Sequence, residues 1–245
     1  MKRTALIALA VVGGIVGGAA AGMAGSPAPA LHRSSAATAI DPGNFVRQVT
    51  NPYFPLRPGT LLVYRGVKDG KVQIDRVFVT DRTKTILGIH ATVVRDIARR
   101  RGGKVLEKTF DWYAQDRQGN VWYLGENTKS FENGHVSTEG SWKAGEHGAR
   151  AGIVMEADPR AATAYRQEFW KGHAEDQAWV VKRGGTVRVP LRKLHHKLVT
   201  FEWARLEPGV IDKKVYARGF GIVQELSQTG PKETSLLVRV HRPGR

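Results

Sequence analysis

The stretch that decides the fold runs from residue 105 to residue 126 and reads VLEKTFDWYAQDRQGNVWYLGE. Apolar and polar residues alternate on both sides of the segment DRQG at 116–119, whose first and last residues are those that a type I turn prefers. Alternation with a period of two is the signature of a half-buried β-strand. We therefore predict a hairpin of two strands that pair across this turn.

The same pattern extends outward from the hairpin, from Thr60 to the end of the chain. Short β-rich runs alternate with turn signals such as Asp69-Gly70, Gly102-Gly103 and Asn133-Gly134. About a dozen strands at this spacing are typical of an antiparallel sandwich or barrel. We predict a mainly β fold, an antiparallel meander that closes or curls into a barrel or a sandwich. One short N-terminal helix is expected at Pro42–Val49, because Asp41 is a capping residue directly before a proline.

The N-terminus has the pattern of a secretory signal peptide. A positively charged start precedes an uncharged run from Thr4 to Ala24 that ends in small residues. The alternative is an uncleaved anchor through residues 5–24, because about 20 apolar residues are enough to span a bilayer. The protein is therefore predicted to be secreted or to lie in the periplasm or cell envelope, and to be membrane-anchored if it is not cleaved. The predicted regions are a signal peptide at 1–24, a disordered lead-in at 25–40 and a single β-rich domain at 41–245.

The composition excludes several kinds of chemistry. The 245 residues contain no cysteine, so disulfides, thiolate metal sites and cysteine nucleophiles are excluded. The sequence also lacks a hydrolase nucleophile elbow, a phosphate-binding loop, a dinucleotide fingerprint and a zinc-protease motif. We predict no cofactor and no metal site, and we favour a binding protein over an enzyme.

The charge of the chain is strongly positive. Lys and Arg number 38 against 22 Asp and Glu, which gives a formal net charge of +16. Such an excess favours contact with anionic lipid or with acidic envelope polymers, although it also simply keeps an exported protein soluble. Nucleic acid is a weaker candidate partner, because no aromatic residues are interleaved with the basic runs.

The hairpin at 110–126 also has the densest group of candidate site residues, because aromatic rings and carboxylates occur together on its strands. Alternation places Asp111 and Tyr113 on one face of the first strand, and it separates Tyr123 from Glu126 on the return strand. Such a group is suited to gripping an apolar or sugar ligand while the acids orient it. The alternative is an aromatic-rich core hairpin. The predicted ligand-binding residues of this hairpin are Asp111, Trp112, Tyr113, Trp122, Tyr123 and Glu126.

A second candidate is the segment YRQEFW at 165–170. If this segment is a strand, Arg166 and Glu168 lie on the same face and are expected to form an ion pair. The pair would line a cavity or, as most such pairs do, lie on the surface. We include both residues among the predicted ligand-binding residues.

Three stretches of the chain resemble a family of uncharacterised exported bacterial proteins. They are NPYFPLxPGT at 51–60, DWYAQDxxGNVWY at 111–123 and YRQE at 165–168. The resemblance covers about residues 41–226, with the motifs in the same order. It implies export and a β-rich domain, and it implies no activity and no functional residue.

We therefore predict an exported, non-catalytic binding protein of the cell envelope. Its ligand would be an apolar, lipid-like molecule inside the barrel or an anionic polymer against the basic exterior. One alternative is a hydrolase or lyase of envelope material, which carboxylates gathered in one cleft would favour. Another is an envelope scaffold or interaction module without a small ligand. The acid–base groups available to the enzyme are Asp111, Glu126, Glu168, Glu175 and Asp176.

Overall fold

The structure is a computed structural model that describes residues 40–244 except residues 69 and 133. The predicted signal peptide and all of the predicted lead-in but Ile40 lie outside the described residues. Within these residues no helix is long and apolar enough to cross a membrane. The strands in chain order are β1 (Phe45–Val46), β2 (Leu61–Lys68), β3 (Lys71–Ile86), β4 (Ile89–Arg100), β5 (Val105–Asp116), β6 (Val121–Glu132), β7 (His135–Ser137), β8 (Trp142–Lys143), β9 (Arg150–Met155), β10 (Ala164–Arg166), β11 (Glu168–Phe169), β12 (Asp176–Arg183), β13 (Thr186–Val189), β14 (Arg192–His195), β15 (Lys197–Ala204), β16 (Ile211–Ala217), β17 (Gly221–Thr229) and β18 (Glu233–His241).

Sixteen of the described strands form one nearly closed antiparallel barrel, and β13 and β14 pair with each other in a separate two-stranded sheet. The main sheet has 16 strands in the order β10-β12-β15-β16-β17-β18-β2-β3-β4-β5-β6-β9-β11, with β1, β7 and β8 paired at its margins. The two strands at the ends of this order, β10 and β11, are separated in the chain only by Gln167. A sheet whose end strands are joined in this way must curl until its edges meet, which leaves no long free edge. The predicted antiparallel β fold is confirmed, and the barrel is favoured over the sandwich.

The predicted helix at Pro42–Val49 does not form. Asp41 caps only one 3-10 turn, Pro42–Asn44, by accepting a backbone hydrogen bond at 2.9 Å. The next two residues form β1 and pair with the last two residues of β5. Strand pairing with a distant part of the chain therefore overrides the local capping signal.

One end of the barrel is closed by residues 47–60, which contain the NPYFPLxPGT motif and which we call the plug. The ring of Phe54 is buried and meets the ring of Tyr113 edge-on at 5.1 Å. The side-chain oxygen of Gln115 accepts the backbone N–H groups of Thr50 and Asn51 at 2.8 and 2.7 Å. The plug is thus held by the end of β5.

The inward positions at the other end of the barrel, which we call the charged end, are polar. Two lysines lie there, and each is paired: Lys68 with Glu233 at 2.9 Å and Lys214 with Glu202 at 2.9 Å. The buried acids of the charged end are Asp75, Asp96, Glu107, Asp111, Glu126, Glu168, Asp176 and Glu202.

Candidate functional site

A β-bulge brings two of the predicted acids to the inner face of the barrel. Asp111 on β5 pairs with Glu126 on β6, whereas Tyr113 pairs with Tyr123, so β6 has one residue more than β5 over this stretch. The extra residue reverses the alternation of β6. Glu126 therefore lies on the same face as Tyr123, and the opposite placement that was predicted from the sequence is wrong.

The bulge depends on Gly125. Its φ of +129° lies in a region that residues with a Cβ rarely adopt. Strand β8 also approaches so closely that a Cβ on Gly125 would fall 2.3 Å from the carbonyl oxygen of Trp142. Glycine is required at this position by the backbone and by the neighbouring strand alike.

Three inward residues of the hairpin form one contact network, and Glu126 lies near it. The Tyr123 hydroxyl donates a hydrogen bond to Oδ1 of Asp111 at 2.9 Å, and the rings of Tyr113 and Tyr123 stack at 4.9 Å. Within the described residues, Oδ2 of Asp111, the Tyr113 hydroxyl and Oε2 of Glu126 are buried without a hydrogen-bond partner. These groups therefore keep hydrogen-bonding capacity that the protein itself does not use.

Glu168 joins this cluster from the seam of the barrel. Burial raises the pKa of the Glu168 carboxyl well above its usual range, and the nearby carboxyl of Asp176 raises it further. Burial also raises the pKa of Asp176, to about 7. The pKa values of Asp111 and Glu126 are raised as well, first by burial and then by neighbouring carboxylates. Acids crowded in a poorly solvated place favour the protonated form.

Arg166 does not take part in this cluster, and the predicted ion pair between Arg166 and Glu168 does not form. Gln167 interrupts the strand that was expected at 165–170, so alternation no longer places the two side chains on one face. Arg166 is half-buried, and its guanidinium lies 4.7 Å from the ring centroid of Phe169. Glu168 instead points into the barrel and is completely buried.

Trp122 also lies away from the cluster. Its indole N–H donates a hydrogen bond to Oδ2 of Asp116 at 2.8 Å, and its ring meets Phe45 edge-on at 6.1 Å. Trp122 therefore fixes the β5–β6 turn and the start of the domain. In the part of the chain that the structure describes, no group of three or more His, Asp or Glu side chains is arranged to hold a metal ion.

Trp112 points outward, into a cleft of about 390 Å³ in the barrel wall beside β5 and β6. Within the cleft, the Lys84 ammonium lies 3.9 Å from the centroid of the Trp112 ring. Trp170 borders the cleft, and its ring stacks with His173 at 3.9 Å. Glu126 reaches the cleft as well as the carboxyl cluster, so it connects the two. Lys143 and Glu146 form an ion pair at the border of the cleft. The residues that border the cleft are Lys84, Trp112, Glu126, Asn127, Ser141, Trp142, Lys143, Glu146, His147, Ala149 and Trp170.

Charge is sorted between the two faces of strands β2 to β6. Asp75, Asp96 and Glu107 point inward. One of the two chain neighbours of each is an outward Arg or Lys. No acid occupies an outward position at 61–67, 72–78, 95–99, 106–112 or 127–129, all of which the structure describes. We call this surface the cationic wall. Its basic residues are Arg65, Arg76, Arg95, Arg99, Lys108 and Lys129.

Sequence reasoning missed the cationic wall, the inward acids Asp75, Asp96, Glu107 and Glu202, and the cleft residues Trp142, Trp170 and Lys84. The wall had a visible signal, namely the opposite-charge neighbours Asp75-Arg76, Arg95-Asp96 and Glu107-Lys108. Neighbours on a strand point to opposite faces, so these pairs indicate two faces of opposite charge. The cleft had no such signal, because its three tryptophans come from β5, from β8 and from the segment that follows β11.

Two solved structures are similar to this chain. One is a "putative exported protein with YmcC-like fold" from Bacteroides fragilis NCTC 9343, at 15% identity and a TM-score of 0.46, covering 78% of this chain and 99% of that chain. The other is a "putative lipoprotein" from Parabacteroides distasonis ATCC 8503, at 10% identity and a TM-score of 0.41, with the same coverage of 78% and 99%. No protein-family model matches the chain, and no curated protein matches it in sequence.

Proposed function

We propose that the protein is an exported, non-catalytic binding protein of the cell envelope, and that its ligand is an anionic polymer held against the cationic wall. The observation that carries this proposal is the absence of acids from the outward positions of the wall, set against six outward cations. The positive N-terminal sequence pattern supports export. A positively charged surface attracts a negatively charged polymer.

The arrangement of the wall fits an extended ligand. Neighbouring strands lie about 4.8 Å apart, and same-face residues lie about 7 Å apart along a strand, so the cations are spread over a patch roughly 20 Å wide. Lys108 and Lys129 are directly opposite each other on paired strands. Like charges at such positions destabilise a sheet. Lys108 also lies 5.1 Å from the ring centroid of Phe110 on the same face, and a bound polyanion would relieve the repulsion between the two lysines.

The interior gives less support to the apolar ligand that was the other prediction. At the plugged end, the apolar space is occupied by buried side chains such as Phe54 and Tyr113. At the charged end, the inward side chains are acids, amides, hydroxyls and two paired lysines, and an apolar ligand would leave polar atoms there without hydrogen bonds. An anionic polymer outside the barrel meets neither obstacle.

The test compares binding of polygalacturonate and of neutral dextran to the domain at several salt concentrations. We expect polygalacturonate to bind, dextran not to bind, and the affinity to fall as salt rises. The triple variant Arg76→Gln/Arg95→Gln/Lys108→Gln should weaken binding about tenfold, because three exposed ion pairs with the polymer are lost. The matched control Lys182→Gln/Arg188→Gln/Lys193→Gln removes the same charge from an exposed region elsewhere. Equal losses in the two variants would mean that net charge alone drives binding, and the wall would not be the site.

A second candidate function is a carboxylate-dependent hydrolase or lyase of envelope material. The observation that favours it is the gathering of Asp111, Glu126, Glu168 and Asp176 in one place, with Glu126 reaching the cleft. The fifth acid considered from the sequence, Glu175, lies in a turn and accepts the backbone N–H of Gly172 at 2.9 Å. Incubation with polygalacturonate separates the two functions. New reducing ends that disappear in Glu126→Gln would establish the enzyme, whereas unchanged chain length would support the binding protein.

A further inference from the structure

We infer that the cleft beside β5 and β6 is a saccharide-binding subsite that takes a sugar unit of an acidic polysaccharide. This inference rests on the proposed function, because the cationic wall leads directly into the cleft. On β5 the outward residues Lys108 and Phe110 are followed by Trp112, and on β6 the outward Lys129 is preceded by Asn127. A volume of about 390 Å³ lies within the range of small-molecule sites.

The lining of the cleft combines flat aromatic rings with cations. Trp170 presents ring surface at the border of the cleft, Trp112 and Trp142 are each 5% exposed there, and Lys84 presents an ammonium group. Lys143 also borders the cleft, but its ammonium is paired with Glu146, which borders the cleft as well. The C–H faces of a pyranose ring are apolar and pack on indole rings, which bury a large area at small entropic cost. The Lys84 ammonium matches a carboxylate on the sugar. The Lys84 ammonium already lies over the Trp112 ring, where it would meet the acidic group of a sugar stacked beside it.

One buried polar atom at the border of the cleft is left unpaired by the protein. Within the described residues, Oε2 of Glu126 has no hydrogen-bond partner, and this side chain is 2% exposed. The indole N–H of Trp142, which also borders the cleft, is directed at Glu168 and lowers the pKa of that carboxyl. Buried polar atoms are normally satisfied, so Glu126 points to a ligand that brings a hydrogen-bonding group to it.

A sugar hydroxyl can do this, since it donates and accepts. A hydrocarbon would cover the rings and leave Oε2 of Glu126 unpaired, which is costly. A simple inorganic anion would pair with Lys84 and leave the rings uncovered. The acidic saccharide is the class of ligand that matches the rings, the Lys84 ammonium and Glu126 together.

The experiment titrates the protein with trigalacturonic acid and with neutral maltotriose, following tryptophan fluorescence and calorimetry. We expect saturable binding of trigalacturonic acid with a change in tryptophan emission. Glu126→Gln should weaken it at least tenfold, because the acceptor at the floor becomes an N–H donor. Lys84→Gln, on a half-exposed residue, should weaken it about fivefold. The controls are Lys104→Gln on an exposed hairpin and Trp179→Phe on β12, and neither should change the affinity.

The outcomes separate this inference from the proposed function. If trigalacturonic acid does not bind while polygalacturonate still does, the cleft is not a saccharide subsite and the wall proposal stands. If neither binds, both fail. Binding of the trisaccharide that is unaffected by Glu126→Gln and Lys84→Gln would place it outside the cleft and overturn the inference. The inference would also be overturned if the wall triple variant lost trisaccharide binding while Glu126→Gln and Lys84→Gln kept it.

Discussion

Replacing Glu107 by Gln should stabilise the folded protein at neutral and alkaline pH. Glu107 lies on the inner face of β5 and is 6% exposed. Burial raises the pKa of its carboxyl from 4.5 to about 8, and the charge of Asp96 adds to the effect of burial. The folded protein therefore holds a proton on Glu107 at a pH at which the unfolded chain has already released it.

The sign and size of the effect on the free energy of unfolding follow from this difference in pKa. Between pH 4.5 and pH 8 the unfolded state binds fewer protons than the folded state, so the free energy of unfolding falls as pH rises. Each pKa unit corresponds to 1.36 kcal/mol, and at pH 7 the penalty from Glu107 is about 3 kcal/mol. The Glu107 penalty is absent below pH 4.5, where the full stability is present, and it reaches its full size above pH 8. Gln has nearly the same shape and no charge, so it removes the penalty.

The assay is urea unfolding of the wild type and of Glu107→Gln at pH 4.5, 6, 7 and 8. We expect the two proteins to be of similar stability at pH 4.5, and the variant to be more stable by a margin that grows to about 3 kcal/mol at pH 7. Asp158→Asn is the control with the opposite sign, because hydrogen bonds from Arg183 and Arg160 lower the pKa of that exposed carboxyl. A constant difference between wild type and Glu107→Gln at every pH would refute the reasoning.

Three further substitutions test how the hairpin and the plug are held. Gly125→Ala should destabilise the domain by about 3 kcal/mol or more in urea unfolding, because its Cβ would collide with the Trp142 carbonyl; an unchanged midpoint would contradict the bulge. Gln115→Ala should cost about 1–3 kcal/mol by leaving two plug amides unpaired, and hydrogen exchange should speed up at those amides first. Tyr123→Phe should cost about 1–2 kcal/mol at neutral pH by removing the donor to Asp111, with circular dichroism unchanged.

The sequence predicts the strands well because each depends on its own alternation and turns. The runs around the turns at 69–70, 102–103 and 116–119 all became paired strands. Two local exceptions could not be predicted. The bulge at Gly125 follows from the close approach of Trp142, and the break at Gln167 follows from the seam, where a Cβ on Gly152 would fall 2.4 Å from the Gln167 carbonyl carbon. Both are contacts between residues that are distant in sequence.

The motifs that suggested a family resemblance have mainly structural roles. In the first motif, the side-chain nitrogen of Asn51 donates hydrogen bonds to the carbonyls of Gly119 and Glu156 at 2.9 and 3.0 Å. In the second, Gln115 holds the plug and Trp122 holds the turn. A single sequence does not distinguish a motif that stabilises the fold from a motif that binds a ligand. Only Trp112 and Glu126, within and just after the second motif, reach the cleft.

The orientation of the charged faces has a physical reason that the sequence pattern alone does not reveal. Asp75 shares its face of β3 with Val77, while Arg76 shares the other face with Phe78, so both faces contain apolar residues. What decides between them is the cost of burial. A buried carboxyl can become neutral by binding a proton, as the raised pKa of about 7 for Asp75 indicates, whereas arginine stays charged in proteins. Acids therefore go inward and arginines outward, and the barrel that results has a proton-holding interior inside a cationic wall. Because the acids face inward and the arginines face outward, the outer face is positively charged, and the proposed function depends on that charge.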